Sequence, residues 1–482
     1  MLTLTQSSSH IQVQPPLQHP YRHIAALGIF FLLSLLLYIL LSLIAPPFGQ
    51  PVGVFDSVWA ACFLVYFVAS FWVIRTRPLA GRWLWCELGI VFLGAIIFRV
   101  MLIHLPADLS NDAWRYLFDG KMIVHGYSPY QYAPNSPVLA GLRDSAFARA
   151  NYLTLPTKYP PGAELFYVLG YLLSPNTLFG LKSLFVLCDL VTCVAVALLL
   201  RAWGRDMRYA LLYAWSPLPI VEFAAQSHID AVVVASTVLA ILCAASSWRY
   251  ARVFAGIFIG LATLTKLYPL VLLILILRRR DWPLLIACGT TIVAGYLPFF
   301  LMSHGYLLTN SPLSAIVGQS EDHLGVLQMV IYDLGRYFRL SIPLIHAIIL
   351  LFELPIAAIT LLFVIVQRRR GRLSVESGIL LLTWVILSDY AHIFPWYAVA
   401  LLPWVALCLS SLPGRKILTP RGIAILSVWY FTVACILSYL PVGYASTEAN
   451  WLLYYAASFG VVLLGLLVAA ILYLRSRTQP SL

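Results

Sequence analysis

Apolar residues in this chain do not recur at the three-to-four-residue period of a half-buried helix. They run on unbroken for about 16 to 25 residues at a time, the length a helix needs to cross a hydrocarbon layer. The runs lie at 24–46, 54–74, 83–103, 178–200, 209–226, 229–247, 282–302, 342–367, 374–391, 396–412, 422–440 and 451–474, and each predicts one membrane span. A further run, 253–277, is interrupted at "TKLYP" by Lys266 and Pro269, and basic residues flank both its ends. It predicts a hairpin of two short helices that returns to the side it left. The fold class that follows is an all-α polytopic integral membrane protein, with about 12 full spans plus the short-helix hairpin, or about 13–14 membrane helices. The first run is read as the first span, not as a cleaved leader.

Polar residues fix the orientation. The 482 residues are 61% hydrophobic and only 10% charged, which excludes an ordinary soluble enzyme. A net charge of +12 would suggest nucleic acid in a soluble protein. Here the positive charges sit in short clusters between apolar runs, at Arg75, Arg77 and Arg82, at Arg201, Arg205 and Arg208, at Arg278–Arg280, and at Arg368–Arg370. With the N-terminus in the cytoplasm, 21 of the 31 Lys and Arg fall in loops on that side. Both termini are therefore expected in the cytoplasm, and nucleic acid is not expected as a partner. The eight cysteines all lie in apolar stretches without a CxxC pair and read as small hydrophobes.

Acids show the opposite bias. Asp108, Asp112, Asp119, Asp144, Glu164, Asp230, Glu321, Asp322 and Asp333 fall on or beside the external side, whose longest segments are 104–177 and 303–341. Acids do little to set topology, so this placement points to a working site outside. The densest polar stretch is "NDAWRYLFDGKMIVHGYSPYQYAP", 111–134, after the third span. Asp112, Arg115 and Asp119 stand at i, i+3 and i+7, on one face of a helix. Gly120, Gly126 and Pro129 are expected to end that helix and deliver Tyr127, Tyr130 and Tyr132 into a loop. A carboxylate beside an arginine and aromatic rings suits sugar chemistry, in which the carboxylate takes a proton from a hydroxyl. The same spacing also describes a solvated helix with an Asp–Arg pair.

Other polar residues are more scattered. His228 and Asp230 in "AQSHIDA" offer two metal ligands or a polar turn between two spans. His392, in "DYAHIFPWYAV", reads as a ligand contact, with Trp396 and Tyr397 as interfacial belt or groove lining. "GQSEDHLG", with Glu321, Asp322 and His323, reads as a solvated loop. Lys182 and Asp189 mark one polar face of a span.

The 111–134 block resembles a signature of bacterial GT-C glycosyltransferases, D-x-x-R-Y-x-x-D-G followed by G-x-x-P-Y. The nearest branch resembles mannosyltransferases that use polyprenyl-phosphate mannose. Further similarity lies in "KYPPGAELFY" (158–167), "LKSLFVLCDLV" (181–191), "SPLPIVEFAAQSHIDAVVV" (216–234), "GLATLTKLYPLVLL" (260–273) and "HIFPWYAVALLPW" (392–404), so it covers roughly 83–410.

The resemblance implies a GT-C fold with a catalytic core over 83–412, added N-terminal helices over 24–82 after a cytoplasmic tail, 1–23, and C-terminal helices with a second tail over 413–482. It implies transfer of a hexose, mannose first, from a polyprenyl-phosphate donor to a glycolipid or glycan acceptor, with inversion, at the external face of a bacterial plasma membrane. Asp112 would be the general base. Arg115, Asp119, Lys158, His228, Asp230, Lys266 and His392 would contact donor sugar or phosphate, and Tyr127, Tyr130 and Tyr132 would stack on sugar. No metal ligand and no cofactor is assigned, and a divalent ion stays an alternative. Two other readings share these features: a transporter or flippase of a lipid-linked or small polar substrate, and a ligase or polymerase of lipid-linked glycans.

Overall fold

Proline can open a helix because its missing amide hydrogen has no partner there in any case. Pro20 does so for α1, Pro20–Leu43, whose 24 residues reach about 36 Å. The computed structural model describes residues 19–44, 53–309, 326–390, 394–440 and 447–478. After α1 come α2, Gly53–Arg75, and α3, Arg82–Leu102. The polar segment that follows holds α4, Asp112–Val124, the short α5, Ser145–Arg149, and α6, Pro161–Leu173. Next stand α7, Phe179–Ala202, α8, Asp230–Ala245, α9, Ala251–Thr265, and α10, Trp282–Met302.

The chain divides into two compact units, Met1–Val317 and Gly318–Leu482. The second contains α11, Val326–Tyr337, α12, Ile342–Arg369, α13, Val375–Tyr390, α14, Pro395–Ser410, α15, Pro420–Ser438, and α16, Glu448–Ser476. Within it Trp384 meets Phe431 edge to face at 4.9 Å, and buried Gln328 donates to Glu353.

Among the described residues eight helices are long and apolar enough to cross a membrane: α1, α2, α3, α7, α10, α12, α15 and α16. Four shorter apolar helices, α8, α9, α13 and α14, accompany them. Of the expected spans, these eight are thus present at full length among the described residues, and 229–247, 374–391 and 396–412 appear as shorter apolar helices. The run 209–226 is not one continuous helix. Pro217 and Pro219 lack the amides that a continuous helix needs. The chain instead makes short turns at Met207–Ala210, Leu211–Ala214 and Pro217–Pro219, then a π-helical turn at Ile220–Ala225, buried from Arg208 onward. Hydropathy reads side chains and is blind to that backbone defect.

The 253–277 run does fold back. α9 ends at Lys266, whose backbone is extended (φ −146°, ψ 142°), and tight turns follow at Tyr268–Leu272 and Leu273–Ile276. Arg252, at the start of α9, donates to the Ile276 carbonyl at 2.9 Å, so the chain returns to the level it left. Lys266 consequently sits at the turn.

Gly120 corrects another expectation. It does not end α4 but lies inside it, where a Cβ would collide with the Tyr167 carbonyl of α6. The absent side chain lets the two helices touch backbone to backbone. Beside that contact Tyr116 and Tyr167 stack at 4.4 Å. Gly162 does the same for α6 and α9, since a Cβ there would meet Leu264. Two glycines thereby draw α4, α6 and the Lys266 end of α9 together.

Candidate active site

The loop leading into α4 is held from two sides. Lys182 of α7 donates to the Leu105 carbonyl, and the Leu109 amide donates to Gln226 Oε1 at 3.0 Å. Asp112 then opens α4. Asn151 Nδ2 donates to Asp112 Oδ1 at 2.5 Å, the Tyr116 hydroxyl approaches Oδ2 at 3.5 Å, and the Asp112 amide donates to Ser110 Oγ at 3.2 Å.

Gln226 closes the π-helical turn, and Ser227 after it is left-handed at φ 65°, a strained state for a residue with a Cβ. A π turn beside strained backbone is a frequent mark of a functional site. This one aims Glu222 and His228 at each other, with Nε2 and Oε2 3.4 Å apart and both side chains fully buried. Two residues on, Asp230 starts α8 and accepts from Lys266 Nζ at 2.7 Å. Lys266 keeps 14% of its side-chain surface exposed while Asp230 keeps 4%. Asp112 lies within electrostatic reach of both members of this pair, and His228 within reach of Lys266. Four residues singled out in the sequence, Asp112, His228, Asp230 and Lys266, therefore share one neighbourhood.

Others have different employment. Arg115 directs Nε to both oxygens of Asp119, at 2.8 and 2.9 Å, and gives Nη1 and Nη2 to the carbonyls of Tyr152 and Leu155. This buried pair corrects the picture of an Arg115–Asp119 face turned toward a donor. Burial, opposed by Arg115, raises the Asp119 carboxyl above its usual range. Glu164 lies nearby and accepts from Thr157 Oγ1 at 2.6 Å; burial first, then the charge of Asp119, push it well above that range.

Tyr130 is also corrected. It is fully buried against Phe299 and Leu307, and its hydroxyl donates to the Tyr159 carbonyl at 2.7 Å, so its ring has no face for a sugar. Tyr127 and Tyr132 are half-buried against the Phe118, Met122 and Leu139 cluster and meet edge to face at 6.1 Å. Lys158 is exposed. His392 and the stretch from Glu321 to His323 lie outside the described residues.

Sequence reasoning missed Asn151, Glu222 and Gln226. Glu222 had a signal, being an acid inside an apolar run and six residues from His228. Asn151 had none. Among the described residues no three His, Cys, Asp or Glu side chains gather as a metal site would require.

No curated protein matches the chain. Residues 157–388, just under half of it, match the model of glycosyltransferase family 87. The matched stretch starts beyond Asp112 and takes in Glu164, Glu222, His228, Asp230 and Lys266. The long apolar helices mark the chain as a polytopic membrane protein, and its central stretch is similar to a GT-C-type glycosyltransferase family.

Proposed function

We propose that the protein is a glycosyltransferase that moves a hexose, with mannose as the first choice, from a polyprenyl-phosphate donor to a glycolipid or glycan acceptor. The reaction takes place on the extracytoplasmic side, where the basic loops leave the acidic ones. Asp112 takes the proton of the acceptor hydroxyl as its oxygen bonds to the anomeric carbon. The bond from that carbon to the phosphate oxygen breaks with its electron pair, and the polyprenyl phosphate departs with the added negative charge. Lys266, held by Asp230, meets that charge where it develops. His228 and its partner Glu222 line the donor side. Attack and departure on opposite faces of the sugar invert the anomeric centre.

One observation carries the reading: a carboxylate at a helix start and a lysine at a hairpin turn, 154 residues apart in sequence, lie within electrostatic reach. Arg115 and Asp119 serve as scaffold under Asp112. The test is transfer by the purified protein from polyprenyl-phosphate mannose to candidate glycolipid acceptors, beside Asp112→Asn. The variant is expected to lose about 10²–10⁴-fold in rate and to melt as the native protein does. Undiminished transfer by Asp112→Asn ends the assignment of the base, and substitution of the donor sugar reads out its identity.

A further inference from the structure

The chain that follows α5 is fastened to α4 at three levels. The Arg149 guanidinium lies over the Trp114 ring, 4.8 Å from its centre. Arg115 holds the carbonyls of Tyr152 and Leu155 at 2.8 and 3.0 Å. Between these anchors Asn151 Nδ2 reaches Asp112 Oδ1 at 2.5 Å. Tyr152, next in sequence, has a φ of 48°, a left-handed backbone that a tyrosine adopts only under constraint. The constraint is visible, because Arg115 grips that residue's own carbonyl. A strained tyrosine, a cation–π contact and a buried arginine all act on the few residues that carry Asn151 to Asp112.

An amide N–H donates at every working pH and adds no charge. Bonded to one carboxylate oxygen, it stops the carboxylate from rotating, so the second oxygen keeps one direction. It also favours the ionised form, the only one able to accept a proton. We infer that Asn151 is a positioning residue of the reaction: it holds Asp112 Oδ1 and so fixes the direction in which Oδ2, approached at 3.5 Å by the Tyr116 hydroxyl, meets the acceptor hydroxyl. This inference rests on the reading of Asp112 as the general base.

The experiment compares kcat, both KM values and the pH dependence of kcat for the full chain and for Asn151→Leu, Asn151→Asp and Asn151→Gln, with Asp112→Asn alongside. Asn151→Leu keeps the volume and removes the donor. It is expected to lower kcat about ten- to a hundredfold, the scale of a misplaced reacting group. Each KM stays within about twofold, and the acidic limb of the profile moves up by about one pH unit as the carboxylate loses its donor. Asn151→Asp has the native shape and sets a like charge against Asp112, so its acidic limb moves further up; it carries the test if the leucine variant does not fold. Asn151→Gln restores an amide and recovers part of kcat and of the native limb.

A folded Asn151→Leu with native kcat and native acidic limb overturns the inference. So does a raised KM at native kcat, which would make Asn151 a substrate contact. If Asp112→Asn is inactive while Asn151→Leu is fully active, the positioning role alone fails. If Asp112→Asn is active, the base assignment fails and the positioning role goes with it.

Discussion

Two buried cation–carboxylate pairs in the first unit differ in what surrounds them. Arg99 of α3 meets Asp189 of α7 at 2.6 Å, and neither side chain has any exposed surface. Most of that cluster is satisfied as well, although Arg99 Nη2 is buried without an acceptor. Arg99 Nη1 donates to the Ala95 and Ala214 carbonyls, each at 2.9 Å, and the Tyr213 hydroxyl donates to the other Asp189 oxygen at 2.6 Å. Lys266 and Asp230 are as close, 2.7 Å, yet Lys266 keeps an exposed edge and Asp230 Oδ2 is buried without a hydrogen-bond donor. A third charge, Asp112, acts on both. The first arrangement ties helices together, and Asp189 pairs with Arg99 and not with the Lys182 of its own helix. The second leaves capacity for something else to bind. Burial of the carboxylate and distance alone do not separate structure from site; the exposed edge of the cation and the third charge beside the pair do.

The comparison breaks most readily at the closed pair. Arg99→Met leaves Asp189 charged and uncompensated among apolar helices, and is expected to cost about 3–5 kcal/mol of stability. Thermal unfolding in detergent reads this. Adding Asp189→Leu removes the stranded charge and is expected to recover most of the loss, with transfer activity retained. The same double exchange at the other pair, Lys266→Met with Asp230→Leu, should keep the fold and lower transfer about 10²–10³-fold, the usual effect of removing a group that stabilises developing charge. Equal activity loss in both double variants would erase the distinction.

How much of this was legible depends on how far a signal reaches along the chain. Spans α1, α2, α3, α7 and α10 follow from run length, because hydropathy is a local sum. Lys266 and Pro269 betrayed a hairpin, since neither residue fits mid-span. The i, i+3, i+7 spacing put Asp112, Arg115 and Asp119 on one helix, as found. It said nothing of which neighbour Arg115 would choose; Asp119, one turn on, is the cheapest partner for a buried guanidinium. Gly120 reads as a helix breaker when its surroundings are unknown. Its place inside α4 depends on the backbone of Tyr167, 47 residues away. Tyr130 looked like a stacking ring until Phe299 and Leu307 covered it. Asn151 is the extreme case, an ordinary loop asparagine whose role exists only through a contact 39 residues back along the chain.

The smallest expected effect concerns Glu164, which sharpens the comparison from a third position. It is buried, held by Thr157 on one oxygen and without a donor on the other, and Asp119 stands close by. Burial and then the Asp119 charge raise its pKa well above the ordinary carboxylate range, so the folded protein keeps it protonated where the unfolded chain does not. The sign follows from that order. Its contribution to stability is complete below the unfolded value, about 4.3, and is lost as pH rises through the raised folded value. Glu164→Gln copies the protonated shape and has no proton to lose. Unfolding midpoints measured from acid to alkaline pH should therefore fall less steeply for the glutamine variant on the alkaline side, with little difference between the two near pH 5 and little change in transfer. A glutamine variant that is less stable than the native protein at every pH above 5 would mean that Glu164 is ionised and answers the charge of Arg115. It would then be a closed pair of the Arg99–Asp189 kind, with Asp119 as the odd carboxyl of the three.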